Sequence, residues 1–178
     1  MSVAEAVPGG AADATPLTAY VGLGSNLGDS GEELRVAAAL LDGLGGRTVR
    51  SSLYRTAPVG GPPGQDDYLN AVVGILEPRL GPRELLEKLL SLEASRGRVR
   101  VERWGPRVLD LDLLAYGQTS IDDPLMTVPH PRMHHRAFVL APLCEIAPGW
   151  RHPDIGKSAC ELLELLPPTR IERTTSSW

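Results

Sequence analysis

The chain has 178 residues, a net charge of −4 and two cysteines. A length in that range suits one domain able to bury roughly 70% of the surface its unfolded form exposes, and the acidic balance excludes a broad nucleic-acid surface, which needs phosphates neutralised across a wide basic face. No apolar run approaches the ~20 residues of a bilayer span, and the N-terminus lacks a basic-then-apolar signal pattern.

Residues 1–17, rich in Ala, Gly and Pro without periodicity, predict a disordered tail, and 18–178 are read as a single domain. Thr18 to Leu23 reads as a first strand, followed by a turn from Gly24 to Asp29. Ser30-Gly-Glu-Glu33 then offers a capping box for a helix with Leu34, Ala38, Leu41 and Leu44 on one face, stopped by Gly45-Gly46. Thr48 to Thr56 and Tyr68 to Leu76 are the second and third strands. Between them residues 57–67 are too rich in Pro and Gly for regular structure, and a loop of that length in a compact domain is often a binding loop. Pro82 opens a second helix, with Leu85, Leu89 and Leu92 on one face, that ends near Arg96-Gly97.

The fourth strand follows, closing at Tyr116-Gly117. Residues 122–133 read as loop, 135–146 as a helix or short apolar segment, and 158–166 as a short amphipathic helix ended by Pro167-Pro168. Cys144 and Cys160 stand in no metal-ligand spacing and are read as two small core residues in a reducing compartment. The order strand, helix, strand, strand, helix, strand predicts an α+β, ferredoxin-like βαββαβ core. Its sheet is mostly antiparallel, its helices lie on one face, and a C-terminal extension shares the other with any ligand.

The densest chemistry lies at 96–114. Arg96, Arg98, Arg100, Arg103 and Arg107 face only Glu102, a reversal of sign in an acidic chain that favours a compact polyanion. Immediately after, Leu109, Leu111 and Leu113 alternate with Asp110 and Asp112, the period of a strand with one buried face. Both carboxylates share the other face with Cα atoms roughly 6.5 Å apart, suited to hard cations such as Mg²⁺ that fill their remaining positions with water and substrate phosphates. Gly22-Leu-Gly24-Ser-Asn-Leu-Gly28 misses the dinucleotide fingerprint by one residue, and neither Lys88 nor Lys157 sits in a Walker A loop. That glycine segment is read as a tight turn beside a ligand. His130, His134 and His135 lack the partners of a zinc set, so His130 is read as a single phosphate contact.

Several segments together resemble the 6-hydroxymethyl-7,8-dihydropterin pyrophosphokinase family of folate biosynthesis. They are Tyr20 to Gly28, Ser52 to Pro58, Asp67 to Ala71, Gly97 to Arg100, Arg103 to Asp112 (RWGPRVLDLD), Val128 to His130 and Arg136 to Phe138. The resemblance implies Mg²⁺-dependent transfer of the pyrophosphoryl group of ATP to the hydroxymethyl oxygen of the pterin, leaving AMP. It implies Asp110 and Asp112 as ligands of two Mg²⁺ ions, and Arg98 and Arg107 as cations on the phosphates and the transition state. Glu93, Arg100, Arg103, Trp104, Leu113, His130 and Arg136 are implied on the ATP side. Tyr68 and Phe138 would sandwich the pterin, with Asn70 on its edge, Trp104 nearby, and the backbone of Thr56, Ala57 and Val59 completing the pocket. Two departures stand out: Leu90 occupies an expected Gln position, and the segment between Arg100 and Arg103 is one residue shorter than in some relatives.

A different phosphotransferase is the nearer alternative. A non-catalytic ferredoxin-like binding module is the further one, although RNA-recognition domains need more aromatics on the central strands than Tyr68 supplies. The sequence further predicts that 97–106 closes over nucleotide as a lid, since its arginines repel one another without phosphates and Gly97 and Gly105 give backbone freedom at each end. The expected protein is a cytoplasmic monomer, with ATP and the pterin as partners and no nucleic acid or membrane.

Overall fold

The computed structural model describes residues 16–97, 105–175 and 178. Strand β1 (Thr18–Ser25) leads into helix α1 (Ser30–Asp42), then strands β2 (Arg47–Arg50), β3 (Tyr54–Thr56) and β4 (Tyr68–Leu76), helix α2 (Pro82–Ser95) and strand β5 (Asp110–Tyr116). All strand pairs are antiparallel, and the sheet runs β5, β1, β4, β3 and then β8 (Ile171–Arg173), with β2 also on β4. This is the expected ferredoxin-like arrangement. One layer of core lies between the sheet and α1 and α2, where Leu34, Leu41, Ile75, Leu85 and Leu89 are fully buried, each stabilising the fold by about 2 kcal/mol over an exposed side chain.

The second sheet face carries helix α3 (Ala137–Ile146) and short helix α4 (Ala159–Glu164) over Val72 and Leu114. Because α3 covers only part of this face, the ends of β1, β4 and β5 beside Phe138 stay open as a cleft.

Four local readings are corrected. Strand β1 extends through Gly24 and Ser25, which the sequence reading places in the turn. Helix α1 is capped by Asp29, whose Oδ1 accepts the Glu32 amide at 3.1 Å. Ser30 cannot do this, because its hydroxyl takes a bond from Ser25 at 3.0 Å while Glu33 is engaged by Arg96. The second strand is broken into β2 and β3 at Ser51, whose Oγ accepts the Val72 amide at 3.0 Å and replaces a ladder bond. Residues 122–133 contain all but the first residue of a hairpin of β6 (Ile121–Asp123) and β7 (Met126–Val128), and Asp123 Oδ1 caps its turn by accepting the Leu125 and Met126 amides.

The cysteines are likewise corrected: Cys144 on α3 and Cys160 on α4 form a disulfide with Cα atoms 5.0 Å apart. A cross-link over a separation of 16 residues restricts the unfolded chain by about 3 kcal/mol in the chain-entropy account. It ties α4 to α3, the helix that walls the cleft.

Candidate functional site

The cleft is built by register. Across β4, β1 and β5, Asn70 pairs Gly24 and Gly24 pairs Asp110, while the next row places Val72, Gly22 and Asp112 side by side. Glycine in the middle of both rows leaves the floor bare. A Cβ added at Gly24 would come within 3.4 Å of Asn70 Oδ1, and one at Gly22 within 3.3 Å of Leu114. The resulting depression encloses about 310 Å³ including its open mouth, with Asn70, Asp110, Asp112 and Phe138 around it. Asp110 and Asp112 face the cleft, while Leu111 and Leu113 pack into the helix-side core, as the alternation predicts.

Opposed charge holds one side of the cleft. Arg107 Nη1 donates to Asp110 Oδ1 at 2.7 Å, while Arg136 Nη1 stands 3.5 Å and His130 Nε2 3.9 Å from Asp112 Oδ2. Burial pushes the Asp112 carboxyl above the usual range and Asp110 adds to this, with His130, Arg136 and Arg107 opposing. Burial lowers His130, against the pull of Asp112. The Arg132 amide donates to His130 Nδ1 at 3.1 Å, so a neutral His130 carries its proton on Nε2, turned towards Asp112. Two carboxylates crowded on one face are relieved by a divalent cation between them. Among the described residues no group of three or more His, Cys, Asp or Glu side chains is arranged to hold a metal. Asp110 and Asp112 could hold a hard cation such as Mg²⁺, with phosphate oxygens and water to complete its shell.

The other side is neutral. Asn70, buried, donates through Nδ2 to Thr56 Oγ1 at 2.8 Å, and Tyr68 Oη donates to the Gly105 carbonyl at 3.3 Å. Phe138 stands at the start of α3 with the Arg136 guanidinium 5.5 Å over its ring. Ala57 and Val59 lie on the exposed loop beyond β3.

Two expected ATP-side residues have buried side chains. Glu93 is 1% exposed and its Oε1 accepts the Leu111 amide at 2.6 Å, bracing the carboxylate strand from behind. Leu113 is core, so any nucleotide contact at that position is through main chain. Leu90 lies exposed on α2. Arg96 is held by Glu33 through two bonds of 3.0 and 2.8 Å at the base of the arginine-rich segment. Arg98, Arg100, Arg103 and Trp104, and with them most of the expected lid, lie outside the described residues.

Sequence reasoning missed Asn26 and Gln65. Asn26, 4% exposed, joins the end of β1 to Arg107 and to the loop before β4. Its signal was an Asn two residues after the strand glycine Gly24, where the turn reading absorbed it.

Residues 20–148 match the family 7,8-dihydro-6-hydroxymethylpterin-pyrophosphokinase (HPPK). A 2-amino-4-hydroxy-6-hydroxymethyldihydropteridine pyrophosphokinase of Methylorubrum extorquens is 47% identical over 160 residues, covering 87% of this chain and 97% of that one. The Synechocystis protein of the same name is 45% identical over 155 residues, covering 86% and 78%. Among solved structures, Plasmodium falciparum HPPK-DHPS wild type with SDX-DHP aligns with a TM-score of 0.64 at 13% identity, over 84% of this chain and 44% of that one. At that identity the likeness concerns the fold, and the chain spans under half of that solved chain.

Proposed function

The chain belongs to the 7,8-dihydro-6-hydroxymethylpterin-pyrophosphokinase family, and from that membership we propose that it transfers the β,γ-pyrophosphoryl group of ATP to the hydroxymethyl oxygen of 6-hydroxymethyl-7,8-dihydropterin. The new bond joins that oxygen to the β-phosphorus, the bond between the β-phosphorus and the α,β-bridging oxygen breaks, and AMP leaves. The observation that carries this reading is the placement of Asp110 and Asp112 on one wall of a cleft with Asn70 two strands away, across the glycine floor of β1. It supports a reading in which a polyphosphate and a flat polar ring would be held side by side.

The chemistry asks for position and charge, without a covalent intermediate on the protein. Asp110 and Asp112 would hold Mg²⁺, which when bound neutralises phosphate charge and orients the oxygens; two ions are the expectation. Arg107, 2.7 Å from Asp110, is a fixed cation beside the phosphates and the developing charge. His130, proton on Nε2, and Arg136 supply further donors on the same side. Phe138 and Tyr68 offer faces for the ring, and Asn70, its amide oriented by Thr56, a hydrogen bond at its edge. Glu93 enters this reading as the brace of β5. Incubation with ATP, Mg²⁺ and the pterin alcohol is expected to yield AMP on chromatography, and ADP as the only nucleotide product would overturn the assignment.

The same reading gives the 97–106 segment the part of a lid, with Arg98, Arg100, Arg103 and Trp104 brought onto nucleotide and pterin. Its support is the arginine density of the sequence and the Glu33 anchor on Arg96 at its base. Amide exchange across the segment should slow when a non-hydrolysable Mg-ATP analogue and pterin are added, and exchange unchanged by both refutes the lid. No helix among the described residues is long and apolar enough to cross a membrane. A monomer in the cytoplasm, where ATP is supplied, is the proposed form, testable by light scattering and by cell fractionation. The Cys144–Cys160 bond removes the cysteine argument for that compartment.

A further inference from the structure

Four hydrogen bonds converge on one buried residue that has no part in the chemistry above, three on its side chain and one on its backbone N–H. The amide of Asn26 donates to the Arg107 carbonyl at 3.0 Å, and Asn26 Oδ1 accepts the Arg107 amide at 2.8 Å. Arg107 is thus gripped at both polar atoms of its own backbone. On its other side Asn26 Nδ2 donates to the Asp66 carbonyl at 3.2 Å and to Gln65 Oε1 at 3.4 Å. Gln65 in turn donates from Nε2 to the Gly60 and Pro62 carbonyls at 3.4 and 3.2 Å, drawing the loop before β4 together. Within that same stretch of chain, Tyr68 follows Asp66 by two residues.

We propose that Asn26 is a positioning residue that fixes the distance between the pterin-side loop and the phosphate-side Arg107, so that ordering one substrate pocket orders the other. The inference rests on the placement of Arg107 and Tyr68 in the proposed reaction. The chemistry at this point is specific. An acceptor must face the Arg107 N–H while donors face two oxygens, and a carboxamide carries both functions on one rigid plane. The partners also fix which way the amide points. Asp is isosteric and keeps the bond to Arg107, but it turns an oxygen towards the Asp66 and Gln65 oxygens. Ser offers only one atom, and Gln is a methylene too long. At 4% exposure water cannot replace a lost partner, so a broken link is relieved by moving the loop. That loop bears the pterin, and the chemistry is sensitive to displacements near 1 Å.

The test is a kinetic cycle. Asn26→Asp is expected to lower kcat about 100-fold and raise the KM for pterin, with the KM for ATP changed less than about threefold. In an Arg107→Ala background, already slow, the same change should cost less than about threefold further, because the coupling it breaks is no longer used. Far-UV circular dichroism and the thermal midpoint check that each variant folds. If Asn26→Asp does not fold, Gln65→Ala reads the same link from the loop side and is expected to give a loss about tenfold smaller with the same KM pattern. Losses that add across the cycle, or equal rises in both KM values, overturn the coupling and leave Asn26 a merely structural residue. Near-normal turnover of Arg107→Ala alone instead overturns the placement of that arginine, and the inference falls with it.

Discussion

On β5 and the segments beside it the cleft is walled by opposed charges, with Arg107 on Asp110 and with Arg136 and His130 around Asp112, whereas on β4 and β3 it is walled by neutral groups already bonded to one another. The two sides differ in what they lack. The Asn70–Thr56 pair is buried and satisfied, so it stands formed before any ligand arrives and contributes to folding. Asp112 is pushed towards protonation by its burial and by Asp110, so it contributes little to folding, and in the proposed reaction a cation would complete it. Breaking the charged wall should therefore cost activity without stability, and breaking the neutral wall should cost some of both.

The largest effect is expected from Asp112→Asn. Removing one of the two carboxylates proposed to hold the metal should lower turnover by more than about 10³-fold. The thermal midpoint should hold or rise, since a crowded carboxylate is replaced by an amide of the same shape. A variant that unfolds several degrees earlier while retaining turnover would reverse the comparison.

Asn70→Ala tests the neutral wall. It leaves the Thr56 hydroxyl, itself buried, without its donor, an arrangement that costs about 1–3 kcal/mol. It should also raise the KM for pterin about 30-fold while leaving that for ATP near its original value, because only the ring edge loses a partner. Urea denaturation and steady-state kinetics on one preparation measure both. Equal losses for the two substrates would show that the two walls do not divide the work.

The part of the site that was legible in the sequence is the part written in alternation. Asp110 and Asp112 announce themselves because leucines flank them, and the sheet follows the apolar period in β1, β4 and β5. What was not legible depended on who else is nearby. Ser30 and Asp29 both begin a capping-box spacing, and only the capture of the Ser30 hydroxyl by Ser25 and of Glu33 by Arg96 decides between them. The strands β6, β7 and β8 have three residues each, too few for a period to show. Cys144 and Cys160 meet only because α4 folds back on α3. Glu93 is expected on the ATP side from the family resemblance, and the sequence gives its helix position but not that its Oε1 reaches the Leu111 amide. Gly22 and Gly24 were noticed for turn-making, whereas their use is to leave the floor between Asn70 and Asp110 empty.

The smallest expected effect comes from His152, in the C-terminal cap, which carries no proposed ligand group and so isolates stability from activity. It is 5% exposed, its Nδ1 accepts the Asp154 amide at 3.3 Å, and its ring lies 6.0 Å from His134 and 5.9 Å from Trp150. Burial holds its pKa below the ordinary value, His134 adding to this and Asp154 opposing it; His134 is lowered in the same sense, by burial and then by His135. The folded protein therefore keeps these rings neutral at a pH where the unfolded chain already binds protons. Stability is full above about pH 6.5, the unfolded value, and is lost as pH falls towards the lower folded values. Between pH 7.5 and 5.5 the unfolding free energy from urea melts should fall by on the order of 1 kcal/mol. His152→Asn, which retains an acceptor for the Asp154 amide but does not titrate, should flatten part of that slope and leave kcat at pH 7.5 unchanged. A wild-type protein more stable at pH 5.5 than at 7.5 would show that the sign is wrong and that groups in the charged wall govern acid stability after all.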